Sequence, residues 1–144
     1  MKSRALSAVD TRTTMPRASN LIRALFAVCL LAATFNHVRA ILQNGWLWDY
    51  GYGNRIALAS KIYWDALTFL DPLGALLLFV KPRLGIWLTV SIIFSDVVHN
   101  TYYVAANDQW SAPFYLAQVG FLVVVLGLAP VAMRAFPAAR QAAV

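Results

Sequence analysis

Four apolar runs, at about residues 21–42, 62–80, 84–104 and 113–133, leave only short connecting segments between them. Each is 19 to 22 residues long, close to the ~20 residues a helix needs to cross ~30 Å of hydrocarbon at 1.5 Å per residue. Between the second and third runs stands only Lys81-Pro82-Arg83, and a polar segment at 105–112 separates the third from the fourth. Short connections make consecutive helices antiparallel neighbours. The expected fold class is therefore all-α, an integral membrane up-down four-helix bundle spanning 21–133. Composition agrees: 60% of residues are apolar and 12% charged, against about half and about a quarter in an ordinary soluble domain.

The segments around this bundle set its expected orientation. Residues 1–20 are polar, basic and without an apolar period, which predicts a disordered N-terminal tail; residues 134–144 form a short basic C-terminal tail. Nine of the twelve basic residues (Lys2, Arg4, Arg12, Arg17, Arg23, Lys81, Arg83, Arg134 and Arg140) fall on one side of the bundle. Arg39, Arg55 and Lys61 fall on the other. Basic flanks stay cytoplasmic, so both termini are expected inside and the 43–60 and 105–112 loops outside. All six tyrosines and four of the five tryptophans lie toward the outer face, leaving Trp87 at the inner one. The net charge of +6 does not point to nucleic acid, because the basic residues flank apolar runs and build no basic helix face.

The first run admits a second reading. Its basic lead, apolar core and Val38-Arg39-Ala40 resemble a secretory signal cleaved after Ala40. Cleavage would leave three helices and remove His37. The continuing apolar Ile41-Leu42 and the long lead favour an uncleaved first span, and the four-helix reading is the one carried forward.

Polar residues at membrane depth are costly and face a bundle interior, pair, or act. Residue counting at 1.5 Å per residue puts Asn36, His37, Asp65, His99, Asn100 and Gln118 on one level, roughly 22–24 Å from the inner face. Asp71 and Asp96 fall about a turn deeper, and Thr68 bridges the two levels. Asp96, His99, Asn100 and Tyr103 follow i, i+3, i+4, i+7 spacing and share one helix face. Asp65 shares a face with Thr68, whereas Asp71 points elsewhere. Pro72 supplies no backbone N–H and predicts a kink after Asp71.

Four readings of this layer stay open. It is a packing network of paired side chains, a ligand or catalytic pocket, a proton or ion path through Asp71, Asp96 and the histidines, or a metal site. The metal reading has His37, His99 and Asp65 on three helices with no short ligand spacing. Cys29 lies in an apolar run, where a lone cysteine reads as a packing residue. No motif marks a cofactor, and no residue is assigned a catalytic role. The candidate ligand-binding residues are His37, Asp65, Thr68, Asp96, His99, Asn100, Tyr103 and Gln118.

His37 late in the first helix, Asp65 early in the second, Pro72, the Lys81-Pro82-Arg83 turn, His99 and the Ala112-Pro113-Phe114-Tyr115 opening together resemble the EXPERA-domain proteins. These are the emopamil-binding-protein-like four-helix membrane proteins. The resemblance covers roughly residues 21–134. It implies an apolar cavity with acidic and histidine groups that binds sterols or amphiphilic cations, and in some members isomerises a sterol double bond. By that resemblance Asp65 is the acid or ammonium partner, and His37 and His99 line the pocket. Glutamate, which the family uses at a key position, is absent from this chain, and the first loop is shorter. The partners expected are the lipid bilayer and a small amphiphilic ligand, with a second copy or another membrane protein as the packing alternative.

Overall fold

The computed structural model describes residues 3–53 and 56–134, and the side chains of 17–53 and 56–133. It is all-helical among these residues: α1 Ser3–Asn44, α2 Leu58–Val80, α3 Pro82–Ala106 and α4 Pro113–Arg134. Each contains a stretch long and apolar enough to cross a membrane. Pro82 and Pro113 open α3 and α4, positions where a missing N–H costs nothing and the fixed φ suits a helix start. Pro72 sits inside α2, which continues through it to Val80. α1 takes in residues 3–20, the segment whose composition predicts a disordered tail. Arg55 and residues 135–144, the expected C-terminal tail, lie outside the described residues.

The helices pack in a ring: α1 beside α2 and α4, α3 beside α2 and α4, with α1 and α3 barely touching across the diagonal. One end carries the single-residue α2–α3 turn at Lys81, whose N–H returns to Leu77 O at 2.9 Å. The other carries the loops 45–57 and 107–112.

The turn end is closely packed. Gly85 lies against the backbone of Leu77 and Leu78, where any Cβ would overlap main-chain atoms. Phe26, Leu78, Ile86, Val125 and Ala132 are completely buried around it. Polar groups here are spoken for: Ser19 Oγ donates to Ala132 O at 2.7 Å, and Thr89 Oγ1 to Gly85 O at 2.8 Å. Arg23 reaches Leu78 O at 3.4 Å, Ser19 O at 3.3 Å and the Asn20 amide oxygen. The outward surface of the ring is apolar, with Val28, Phe35, Phe69, Leu76, Phe94, Val98 and Val123 all more than half exposed. A patch this extensive marks an interaction or membrane surface.

Candidate functional site

Toward the loop end the same ring is hollow. A cavity of about 540 Å³ lies among all four helices, within the 300–1,000 Å³ usual for small-molecule sites. Its back wall comes from α2 and α3 through Trp64, Asp71, Ile92, Ile93, Asp96 and Asn100, every one of them buried. α1 adds His37 and a run of small residues including Ala32 and Ala33, and α4 adds Phe114, Ala117, Gln118 and Phe121.

Asn100 organises the back wall. Its side-chain oxygen accepts from the Trp64 indole N–H at 2.9 Å, and its Nδ2 donates to Asp96 Oδ1 at 2.9 Å and Gln118 Oε1 at 3.1 Å. One amide thereby ties α2, α3 and α4 and fixes the Asp96 carboxylate at the cavity wall. Helical spacing made this reachable from sequence, since Asp96 and Asn100 stand four residues apart. On the opposite side, His37 Nε2 lies 3.8 Å from Asp71 Oδ2. His37 Nδ1 shares a hydrogen bond of 3.1 Å with the Tyr50 hydroxyl.

The 45–57 loop roofs the cavity and contributes Tyr50 and Tyr52 to its lining. Its backbone takes the left-handed region at Gly45, Leu47, Tyr50, Gly51 and Gly53. Leu47 and Tyr50 carry a Cβ there, so each costs energy that its bonds must offset. For Leu47 the bond is its N–H to Asp65 Oδ2, at 2.8 Å. Tyr52 crosses to the neighbouring loop, its hydroxyl donating to Gln109 Oε1 at 2.9 Å. The rings of Tyr50 and Tyr52 lie 5.0 and 6.3 Å from that of Trp64. Burial, reinforced by the carboxylates of Asp65 and Asp96, pushes the Tyr50 phenol up to about 12; burial also raises Tyr52.

The candidate residues divide into two groups. His37, Asp96, Asn100 and Gln118 converge on the cavity. Asp65, Thr68, His99 and Tyr103 do not line it. Asp65 is buried beneath the loop and holds Leu47. His99 stacks on Tyr63 at a 4.5 Å ring separation and beside Trp64 and Tyr103, both at 5.5 Å. The Tyr103 hydroxyl pairs with Ser60. Thr68 Oγ1 and His99 Nε2 are buried with no hydrogen-bond partner among the described residues. Asp71, and not Asp65, stands beside His37. Residue counting misses this because it fixes depth along one helix and not the register of one helix against the next. Tyr50 and Tyr52 were legible only as part of an aromatic loop. Among the described residues, no three His, Cys, Asp or Glu side chains gather as a metal-holding group.

Fold and cavity together define a class: an apolar four-helix bundle, long enough to span a bilayer, with a carboxylate-bearing cavity near one end. No known protein family matches the chain, and neither the curated proteins nor the solved structures contain a match to it.

Proposed function

We propose that this chain is a multi-pass membrane protein whose cavity binds a small amphiphile with a cationic head. The 81–83 turn and both termini face the cytoplasm, the orientation that the nine-to-three division of basic residues favours. The cavity then lies in the outer half of the bilayer. One observation carries the binding reading: Asp71 and Asp96, from two different helices, both face a cavity whose other lining is mostly aromatic and apolar, with Asn36, His37, Asn100 and Gln118 as its remaining polar members. Carboxylates removed from water either stay neutral or take a cation. A monovalent ammonium head satisfies them, and the faces of Tyr50, Tyr52 and Trp64 add attraction for it. Apolar walls accept the tail. Relative to the EXPERA resemblance, the ammonium partner moves from Asp65 to Asp71 and Asp96.

The test is ligand-dependent thermal unfolding of the protein in vesicles, with dodecyltrimethylammonium against dodecanol. The ammonium raises the unfolding temperature and the alcohol does not; saturation to about 100 Kd corresponds to about 2.7 kcal/mol. Asp71→Asn and Asp96→Asn abolish that response while leaving the bundle folded. A wild type that ignores the ammonium, with both Asn variants destabilised, assigns the polar layer to helix packing instead. Reporter fusions read the orientation: cytoplasmic after Arg83, external within 43–53 and 107–112. An external signal at the 81–83 turn reverses it.

A further inference from the structure

The cavity's lining is unevenly exposed. Every residue contributed by α2 and α3 is buried, whereas Ala32 and Asn36 on α1 and Phe114 and Ala117 on α4 line the cavity and are exposed. A residue that does both marks a rim. The rim therefore lies between α1 and α4, on the side of the bundle. These helices meet near the turn end, where Ser19 bonds Ala132 and the Phe26 and Phe121 rings pack edge to face at 6.1 Å. Beyond that contact, toward the loops, three of the side chains between them are alanines, at 32, 33 and 117, too small to close the gap. The surface beside the gap is apolar, with Phe35 67% and Leu116 55% exposed. Toward the loops, by contrast, the roof is fastened at three points: Leu47 to Asp65, Tyr50 to His37, and Tyr52 to Gln109. α4 is also the least embedded helix, 17% buried over its apolar span against 44% for α2.

From this asymmetry we infer that the ligand reaches the cavity sideways from the bilayer, between α1 and α4, and keeps its alkyl tail in that gap with its head against Asp71 and Asp96. The inference rests on the amphiphile-binding reading and adds its route and the seat of its tail. The substrate class is thereby narrowed to single-chain amphiphiles already dissolved in the membrane. A water-soluble amine of similar head group does not fill the site.

The probe is an alkyltrimethylammonium ion carrying a diazirine at the far end of its chain, loaded into vesicles that contain the full chain. Photolysis labels α1 within 29–36 and α4 within 114–121, and unlabelled dodecyltrimethylammonium competes the label away. Ala117→Phe, or Ala33→Phe from the opposite side of the rim, slows loading roughly tenfold, equivalent to about 1.4 kcal/mol added to the entry barrier. Gln109→Ala, which releases the roof from the neighbouring loop, leaves the loading rate unchanged. Competable label on 45–53, with faster loading in Gln109→Ala and none of the slowing at the rim, overturns the lateral route and leaves amphiphile binding standing. No competable label anywhere removes both.

Discussion

The two halves of this bundle are built from the same four helices and solve opposite problems. At the turn end, Gly85 lets α3 press its backbone against that of α2, and Phe26, Ile86 and Val125 fill what remains. At the loop end, no such contact draws the helices together. There the space is held open by polar struts, Asn100 to three partners and His37 between Asp71 and Tyr50. In lipid, apolar side chains gain little by leaving hydrocarbon for a protein core, so helix association rests on close packing and interhelical hydrogen bonds. The turn end uses the first and the loop end the second. Rigidity at one end lets the other remain hollow without the ring collapsing.

This contrast breaks most severely at Gly85. Gly85→Ala forces α2 and α3 apart and lowers stability in detergent unfolding by about 3 kcal/mol, the upper range for overpacking. Gly120, with nothing within 4 Å of its added Cβ, is the control. Gly120→Ala stabilises by up to ~1 kcal/mol through helix propensity. Equal responses at the two glycines would erase the distinction between the halves.

The next effect belongs to the struts. Asn100→Leu strands the Trp64 indole, Asp96 and Gln118 together, at a cost of about 2 kcal/mol if the three bonds each approach the membrane average of ~0.6. Thermal unfolding reads the loss. Dodecyltrimethylammonium binding falls with it, since Asp96 loses its positioning partner. A variant as stable as wild type with unchanged binding would show that Asn100 does not hold the cavity.

Asp65→Leu is more local. It removes the acceptor of the Leu47 N–H and releases a loop already in an unfavourable backbone region. Amide exchange across 45–53 rises roughly tenfold, equivalent to 1.4 kcal/mol of local opening, with the turn end unaffected. Faster exchange at Ile86 or Val125 as well would mean that roof and core unfold as one unit.

The last effect is a pH dependence at Tyr50, confined to strongly alkaline solution. Its phenol titrates near 12 in the folded protein and near 10 in an unfolded chain. The stability this contributes is complete below pH 10 and is lost as pH rises from 10 to 12, because the unfolded state releases its proton first. Tyr50→Phe flattens the alkaline limb of the unfolding curve. Retention of the full slope in that variant would assign it elsewhere.

Helix spacing made part of the cavity legible in advance. Asp96 and Asn100 share a face by the i, i+4 rule, and their hydrogen bond is the strut the stripe implies. Gln118 and His37 were placed at membrane depth by counting, and both line the cavity. Asp71 lines the cavity beside His37 and Asp65 does not, because counting residues from the end of a helix fixes depth along that helix and says nothing of its sliding against the next. His99 was placed on the stripe of Asp96 and Asn100, yet it packs on Tyr63 at the α2–α3 seam, since a helix face serves both a neighbouring helix and an interior void.

Legible along the chain was what is local: four long apolar helices, helix starts at Pro82 and Pro113, and the shared stripe of α3. These follow from periodicity and propensity within a single element. Tertiary structure alone decided that Asp71 meets His37, that an aromatic loop folds down as a roof, and that alanines on α1 and α4 leave a gap. Each depends on register and distance between helices, which are set by contacts such as Gly85 against Leu78 and Arg23 against the α2 carbonyl end, and no pattern along one helix encodes where the facing helix will stop.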